Sequence, residues 1–232
     1  MDKWVLVKLA RSYFLFLTTK NKTVGFLGKL YCHFSIYWLT GYIGALYLVF
    51  FRLAYPGFKI GLRPKVWGKF SIQIFQGGRL EIGDEFHLVS DPKRSGITLF
   101  SRGQFTVFSG GVIKIGNHVG LNGTAITSKC CVEIGDGTII GPNVVIVDSD
   151  FHNIWPPESR WEASSSKADK EVSIGSNVWV GMNTIILKGS RIGDNSVIGA
   201  GSVVRGEIPA DCIAAGNPAQ VVRNLKNVPE LS

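Results

Sequence analysis

Acidic residues are almost missing from the first 70 positions, where Asp2 stands alone against eleven Lys and Arg. Residues 71–232 hold fourteen basic and sixteen acidic side chains, so the net charge of +8 arises wholly in the N-terminal third. A basic excess confined beside the most apolar part of the chain reads as a membrane-surface signal. No nucleic-acid-binding motif accompanies it, and a nucleic-acid partner is not expected. Cysteines are few: Cys32, Cys130, Cys131 and Cys212 form no CxxC and no regular framework. That pattern excludes a disulfide scaffold or zinc ribbon and fits reduced thiols in the cytosol. Outside the N-terminal segment the histidines are His87, His118 and His152, each more than thirty residues from the next. No metal site is expected from such spacing. With 18% charged and 45% apolar residues, disorder is excluded as well.

Charge is also absent between Lys29 and Arg52. Leu30 to Phe51 form a run of 22 uncharged residues, eight of them aromatic. This length would span a bilayer. The earlier apolar stretch Trp4 to Thr18 carries Lys8 and Arg11 three apart, which suits a helix lying in the headgroup plane. Residues 1–29 carry six basic side chains and residues 52–69 carry five, so the positive-inside bias favours neither end. A re-entrant or in-plane arrangement, with both flanks on the cytoplasmic leaflet, satisfies both. Charges interrupt the apolar run too early for a cleaved signal peptide.

The rest of the chain keeps a metre. Ile174, Val180, Ile186, Ile192, Ile198 and Val204 fall six apart, and Val178, Thr184, Ser190, Ser196 and Ser202 stand four places after the first five beats. A period of six is neither helical nor a plain strand alternation. It means short strands joined by tight corners, with one aliphatic side chain pointing inward per side. Three sides make a triangular coil of eighteen residues, and stacked coils form a parallel β-helix. Ile115, Leu121, Ile134, Ile140 and Ile146 keep the same metre earlier, with weaker traces at Ile82 and Leu88. Ser90 to Gly96 reads as an inserted loop. About six or seven coils are expected between residues 66 and 214.

After Ile146 the next beat falls on His152, and some twenty polar residues intervene before Ile174. An unpaired imidazole inside an aliphatic core would cost a few kcal/mol. The chain is therefore expected to leave the coil at Asp148 to Phe151 and extrude residues 153–171. His152 then stands at the root of that loop, on rigid scaffold, where a functional base belongs. A surface histidine that happens to begin a loop fits the same spacing.

The stretch "IGSNVWVGMNTIILKGSRIGDNSVIGAGSVV" (Ile174 to Val204), together with "IAAGNPAQVVR" (Ile213 to Arg223), resembles the hexapeptide-repeat acetyltransferases, in their galactoside/maltose and xenobiotic branch. "IGDGTIIGPNVVIVDSDFH" (Ile134 to His152) is similar to the segment that carries that family's catalytic histidine. The apolar N-terminus with "GLRPKVWG" looks like a subset of lipopolysaccharide and capsule O-acetyltransferases. The resemblance implies an all-β, left-handed parallel β-helix, assembled as a homotrimer with active sites between adjacent subunits. It implies His152 as general base and Asn122 as a side chain contacting the acceptor or the developing oxyanion. Trp179, Gly181, Gly199, Ala200 and Gly201 would line the pantetheine arm of acetyl-CoA. Pro218 and Arg223 would flank its adenosine end. Met182 replaces a serine of relatives, and Gly206 replaces a basic residue, so CoA affinity would lean on Arg205, Arg223 and Lys226.

These readings give a membrane-associated helical segment over residues 1–58, a β-helix over 59–215 and a tail over 216–232. They predict an acetyl-CoA-dependent O-acetyltransferase acting on a bacterial surface glycan or its lipid-linked precursor, at the cytoplasmic face of the inner membrane. An N-acetyltransferase of an amino sugar uses the same machinery. A zinc lyase of the same repeat fold would need closer histidines. A non-catalytic β-helix scaffold would not need the broken beat at His152.

Overall fold

The computed structural model describes residues 44–53 and 55–227. Strands of two to five residues, lengthened only in the last, succeed one another around three walls. The first wall stacks seven strands, from Phe58–Ile60, Arg79–Ile82 and Val112–Ile115 to Cys131–Ile134, Val172–Ile174, Arg191–Ile192 and Glu207–Ile208. Lys65–Gly68, His87–Ser90, Gly120–Asn122, Ile139–Ile140, Trp179–Val180, Val197–Ile198 and Cys212–Gly216 stack into the second. The third takes Ser71–Ile74, Gln104–Val107, Ala125–Ser128, Val145–Val147, Ile185–Ile186 and Val203–Val204. Each pair is parallel and in register, as in Ile134 beside Ile174 and Ile174 beside Ile192. The result is a three-walled parallel β-helix of six full coils and the start of a seventh.

The metre explains the core. Ile174, Val180, Ile186, Ile192, Ile198 and Val204 are all buried and stack in columns down the interior. Burying each such side chain contributes ~1.5–3 kcal/mol. The small residues between beats are buried too, and their hydroxyls satisfy corner carbonyls: Thr184 donates to Gly181 at 2.8 Å and Ser190 to Leu187 at 2.7 Å. Corners turn through left-handed residues, among them Asn177, Asn183 and Asn195, a conformation asparagine tolerates.

At the N-terminal end, residues 44–53 are helical and pack over the first coil. Leu48 is buried, and a Cβ on Gly44 would stand 2.5 Å from the Val66 carbonyl, so helix and coil touch backbone to backbone there. Leu46, Tyr47, Val49, Phe50 and Leu53 on the same helix are exposed. Among the described residues no helix is long and apolar enough to cross a membrane. The expectations for Trp4 to Thr18 and for most of Leu30 to Phe51 lie outside the described residues. At the other end, Cys212–Gly216 turns back antiparallel onto Ala219–Asn224, a hairpin that ends in a 3₁₀ turn at Leu225–Asn227.

Two insertions leave the stack. One runs from Val147 to Val172, as the broken beat predicts. The other is longer than expected, spanning residues 91–103 rather than ending at Gly96. Its second half is held by Asn143, which accepts from the Phe100 N–H at 2.8 Å and donates to the Thr98 carbonyl at 3.0 Å. Such contacts, more than forty residues apart in sequence, leave no periodic trace.

Candidate active site

The outer surface of the second wall is a groove of about 600 Å³. It brings together Asn122, Trp179, Gly181, Gly199 and Ala200. One column of its lining carries no side chain at Gly141, Gly181 and Gly199. Stacking requires this: a Cβ on Gly181 would meet the Ala200 nitrogen at 2.5 Å, and one on Gly141 the Val180 oxygen at 2.8 Å. The consequence is a trough of bare backbone beside the exposed ring of Trp179. An extended chain could lie along it against the main chain. The remaining residues implied for CoA fall outside this groove. Gly201 turns the next corner at φ 71°, and Arg205 is exposed just past Val203–Val204. Pro218 sits in the turn of the terminal hairpin, and Arg223 on its second strand faces Ile213. Lys226 pairs with Asp211 at 3.3 Å. The amide of Asn195, then Lys226, holds that carboxyl below the usual range.

His152 stands where the chain has left the third wall, exposed, at the root of the 153–171 loop. Three contacts fix the exit. Asp148 is buried and accepts from the Ser128 hydroxyl at 2.6 Å and from the N–H groups of Lys129 and Cys130 at 2.8 Å each. Asp150 is ion-paired with Lys188, whose ammonium also donates to the Ala168 carbonyl at 2.9 Å. Finally, the His152 N–H donates to the Asp150 carbonyl at 2.8 Å, and His152 bridges to Ala163 across the loop. Phe151, just before it, adopts a left-handed φ of 64°, which swings the chain outward. A neutral imidazole with one nitrogen free needs an orienting partner, and Asp148, Asp150 or a main-chain carbonyl are the candidates within reach in sequence. The two carboxylates are committed elsewhere, and among the described residues nothing hydrogen-bonds the ring.

Asn122 has a partner that the sequence does not announce. Its amide nitrogen donates to the Ser95 hydroxyl at 3.1 Å, and Ser95 belongs to the inserted turn Pro92–Ser95. Its carbonyl oxygen is buried and has no partner. His87, one coil away, lines the same groove. Burial, then the charge of Lys65, pushes its imidazole pKa down. Asn122 ends a second-wall strand, while His152 comes after a third-wall strand one coil later. A wall of four residues at ~3.3 Å each puts these corners on the order of 13 Å apart. Among the described residues no hydrogen bond joins the two side chains within one chain. Among the described residues no group of three His, Cys, Asp or Glu could hold a metal ion.

The fold is a hexapeptide β-helix with a bare-backbone trough on one wall and a histidine ejected at a corner, and comparison with known proteins shows what it is similar to. Residues 171–206 match the family model "Bacterial transferase hexapeptide (six repeats)". The putative lipopolysaccharide biosynthesis O-acetyl transferase WbbJ of Escherichia coli K12 is 32% identical over 174 residues, covering 70% of this chain and 81% of that protein. The galactoside O-acetyltransferase of the same organism is 36% identical over 115 residues, 47% of this chain and 55% of that protein. The chain thus spans about half the length of the galactoside O-acetyltransferase. The crystal structure of the polysialic-acid-specific acetyltransferase NeuO superposes with a TM-score of 0.52 at 27% identity, over 72% of this chain and 76% of that one. The chain belongs to the hexapeptide-repeat acetyltransferases.

Proposed function

We propose that this protein transfers the acetyl group of acetyl-CoA directly to a hydroxyl of a bacterial surface glycan or of its lipid-linked precursor, with His152 as general base. The supporting observation is the exit at Val147, which stations an exposed imidazole on the rigid root of a loop. In the step, an imidazole nitrogen takes the hydroxyl proton as the oxygen bonds to the thioester carbon. The tetrahedral oxyanion collapses, the carbon–sulfur bond breaks, and the imidazolium returns its proton to the departing thiolate. Products are CoA thiol and an acetyl ester. General-base catalysis supplies ~10²–10⁴-fold, and a fixed main-chain N–H outside the coil ladder, with Asn122, serves the oxyanion. The pantetheine arm lies on Gly181, Gly199, Ala200 and Gly201 beside Trp179. Pro218, Arg223, Arg205 and Lys226 serve the nucleotide end.

The assembly is a homotrimer of left-handed coils. The outer face of the first wall is charged, with rungs such as Lys59–Glu81 and Lys114–Glu133. Those of the second and third walls are apolar and exposed at Ile139, Trp179, Val145 and Ile185. Charged residues are depleted from interface cores, so the second and third walls meet neighbouring copies. A neighbour also resolves the separation of Asn122 from His152, because the corner of one copy can approach the wall of another. The basic N-terminal third and the exposed apolar helix at 44–53 support a position on the cytoplasmic leaflet, where acetyl-CoA is available.

The test is turnover. Purified protein is incubated with acetyl-CoA and candidate glycans or lipid-linked sugars, and released CoA thiol is measured over time. His152→Ala should lower kcat by ~10²–10⁴-fold with CoA affinity and oligomer mass intact. Undiminished release would refute the base assignment.

A further inference from the structure

Among the described residues Gly120 is the one glycine that neither its backbone nor its packing requires. Its φ lies outside the left-handed region, and a Cβ built on it would meet nothing within 4 Å. Every other described glycine either has a left-handed φ or would drive a Cβ against a neighbour at 3.0 Å or closer. Gly141, Gly181 and Gly199, in the same groove, are of the second kind; a Cβ on Gly199 would stand 2.8 Å from the Ala215 Cβ. Glycine inside a strand loses chain entropy and packs nothing, so it weakens the strand and marks a place where something approaches closely. Gly120 opens the strand Gly120–Asn122, and it faces outward because Leu121 beside it is buried.

The missing side chain leaves a notch in a column. Gly120 pairs with His87 on one side and with Ile139 on the other, and Trp179 follows Ile139. Strands stand about 4.8 Å apart, so the notch is open over about 10 Å between His87 and Ile139. All four residues line the second-wall groove, together with Asn122, the other outward residue of the Gly120 strand. The lining carries no Lys, Arg, Asp or Glu. We propose that the notch over Gly120 seats the acceptor, that its occupant is the ring of an uncharged sugar, and that His87 is a specificity-determining residue that contacts a hydroxyl of that ring. The inference rests on the acetyl-transfer reading, which puts the reacting carbon beside Asn122 and gives the trough at Gly181 and Gly199 to the acyl donor.

The groups around the notch suit a neutral ring. An uncharged imidazole has one N–H to donate and one ring nitrogen to accept, which matches a hydroxyl that does both. Burial, then the charge of Lys65, pushes the His87 pKa down and keeps the ring in that form near neutral pH. Trp67 of the first coil backs the imidazole edge-on, with 6.0 Å between ring centroids. On the other side of the notch, Ile139 and the exposed ring of Trp179 offer an apolar neighbour to the C–H face of a sugar. A carboxylate in the same place would lose water and find no cation in the lining to replace it. The notch therefore selects by charge as well as by size, because any side chain at position 120 would occupy the space the sugar needs.

The full chain with CoA bound is titrated by NMR with the methyl glycosides of glucose, galactose and mannose, and with the matching uronides, which carry a carboxylate in place of the primary alcohol. Thiol release from acetyl-CoA is measured in parallel. At least one neutral glycoside should bind about tenfold tighter than its uronide. Gly120→Val, which fills the notch with a side chain suited to a strand, should weaken that glycoside about tenfold, and Gly120→Ala should weaken it less. Both variants should keep the CoA affinity, the oligomer mass and a melting temperature equal to or above that of the parent chain, because replacing an unstrained glycine restrains the unfolded state. His87→Phe, which keeps a ring and loses both nitrogens, should weaken the glycoside about fivefold. A lowered melting temperature in Gly120→Ala would show that the fold needs the glycine, and a changed oligomer mass in Gly120→Val would show that a neighbouring copy fills the notch. Either result overturns the subsite. So does a uronide that binds as tightly as its glycoside, a glycoside affinity indifferent to residue 120, or the failure of every neutral glycoside to bind. Affinity is read without turnover, so the two readings fail separately. Binding that depends on Gly120 with no thiol release from any glycoside would refute acetyl transfer and leave the subsite standing; thiol release with an affinity that ignores residue 120 would do the reverse.

Discussion

Asp148 receives three hydrogen bonds in a site with no access to water, and each comes from the corner of the coil below. A buried carboxylate is tolerated only when its oxygens are filled in this way. That is why an acid rather than an aliphatic residue stands after Val147, and why its oxygens are committed to that corner and not to His152. The two cysteines of the neighbouring segment are quiet for a related reason. Burial, reinforced by Glu133, pushes the Cys131 thiol up to about 11. Burial and then Asp148 raise that of Cys130. Raised thiols are poor nucleophiles, so iodoacetamide at pH 8 should label both slowly in the native protein and rapidly in urea. Stability responds in the same direction. The unfolded thiol ionises near 9 and the folded one later, so the contribution of Cys131 is intact below pH 9 and is lost as pH rises toward 11. Fast native labelling at pH 8, read by mass spectrometry, would contradict a raised thiol pKa at either position.

The 153–171 loop is an element without a core of its own. It is held at its roots. Lys188, from the coil after the loop, ties Asp150 to the Ala168 carbonyl and so clasps both ends of the excursion. Lys129 does the same nearby, donating to the Ser164 hydroxyl at 3.0 Å and standing 3.7 Å from the buried carboxylate of Asp169. His152 lies between these clasps. Because the Asp150 carbonyl accepts from the His152 N–H, a shift at Asp150 moves the imidazole directly. Lys188→Met removes the charge while keeping the stem. Misplacing a reacting group by about 1 Å costs as much as ~10²-fold, so kcat should fall ~10–100-fold with the KM for acetyl-CoA little changed. A parallel rise in that KM with unchanged kcat would show that Lys188 serves the donor and not the histidine.

At the scale of the whole molecule, the three walls differ in what they present. The first wall's ion pairs are exposed, and such pairs contribute ~0–1 kcal/mol each; their role is to keep that face in water. The third wall presents Val145 and Ile185, adjacent rungs of one column. A charge there leaves the core untouched but opposes a closed interface. Val145→Lys combined with Ile185→Glu should yield protein of one-chain mass by analytical ultracentrifugation, with a native circular dichroism spectrum and no turnover. A trimer that persists, or a monomer that stays active, would refute the proposed sharing of the site between copies.

The six-residue beat was enough to read three walls, the inward columns from Ile174 to Val204, and the exit before His152, because each rests on local alternation of buried and exposed positions. The terminal hairpin and the long 91–103 insertion carry no such beat, since their contacts reach back across whole coils. Much the same divides the site. Gly181 and Gly199 follow the beat and were legible as repeat positions, and Trp179 was named by family resemblance; the Ser95–Asn122 bond and the Lys188 clasp were not legible. Those depend on which corners the stacking superimposes. Sequence alone determined that the chain would coil and where it would break, because burial recurs at short range. Only the tertiary structure decided which side chains face one another across coils and that Asn122 and His152 stand at separate corners, because that geometry is set by the closed triangle and not by any neighbour along the chain.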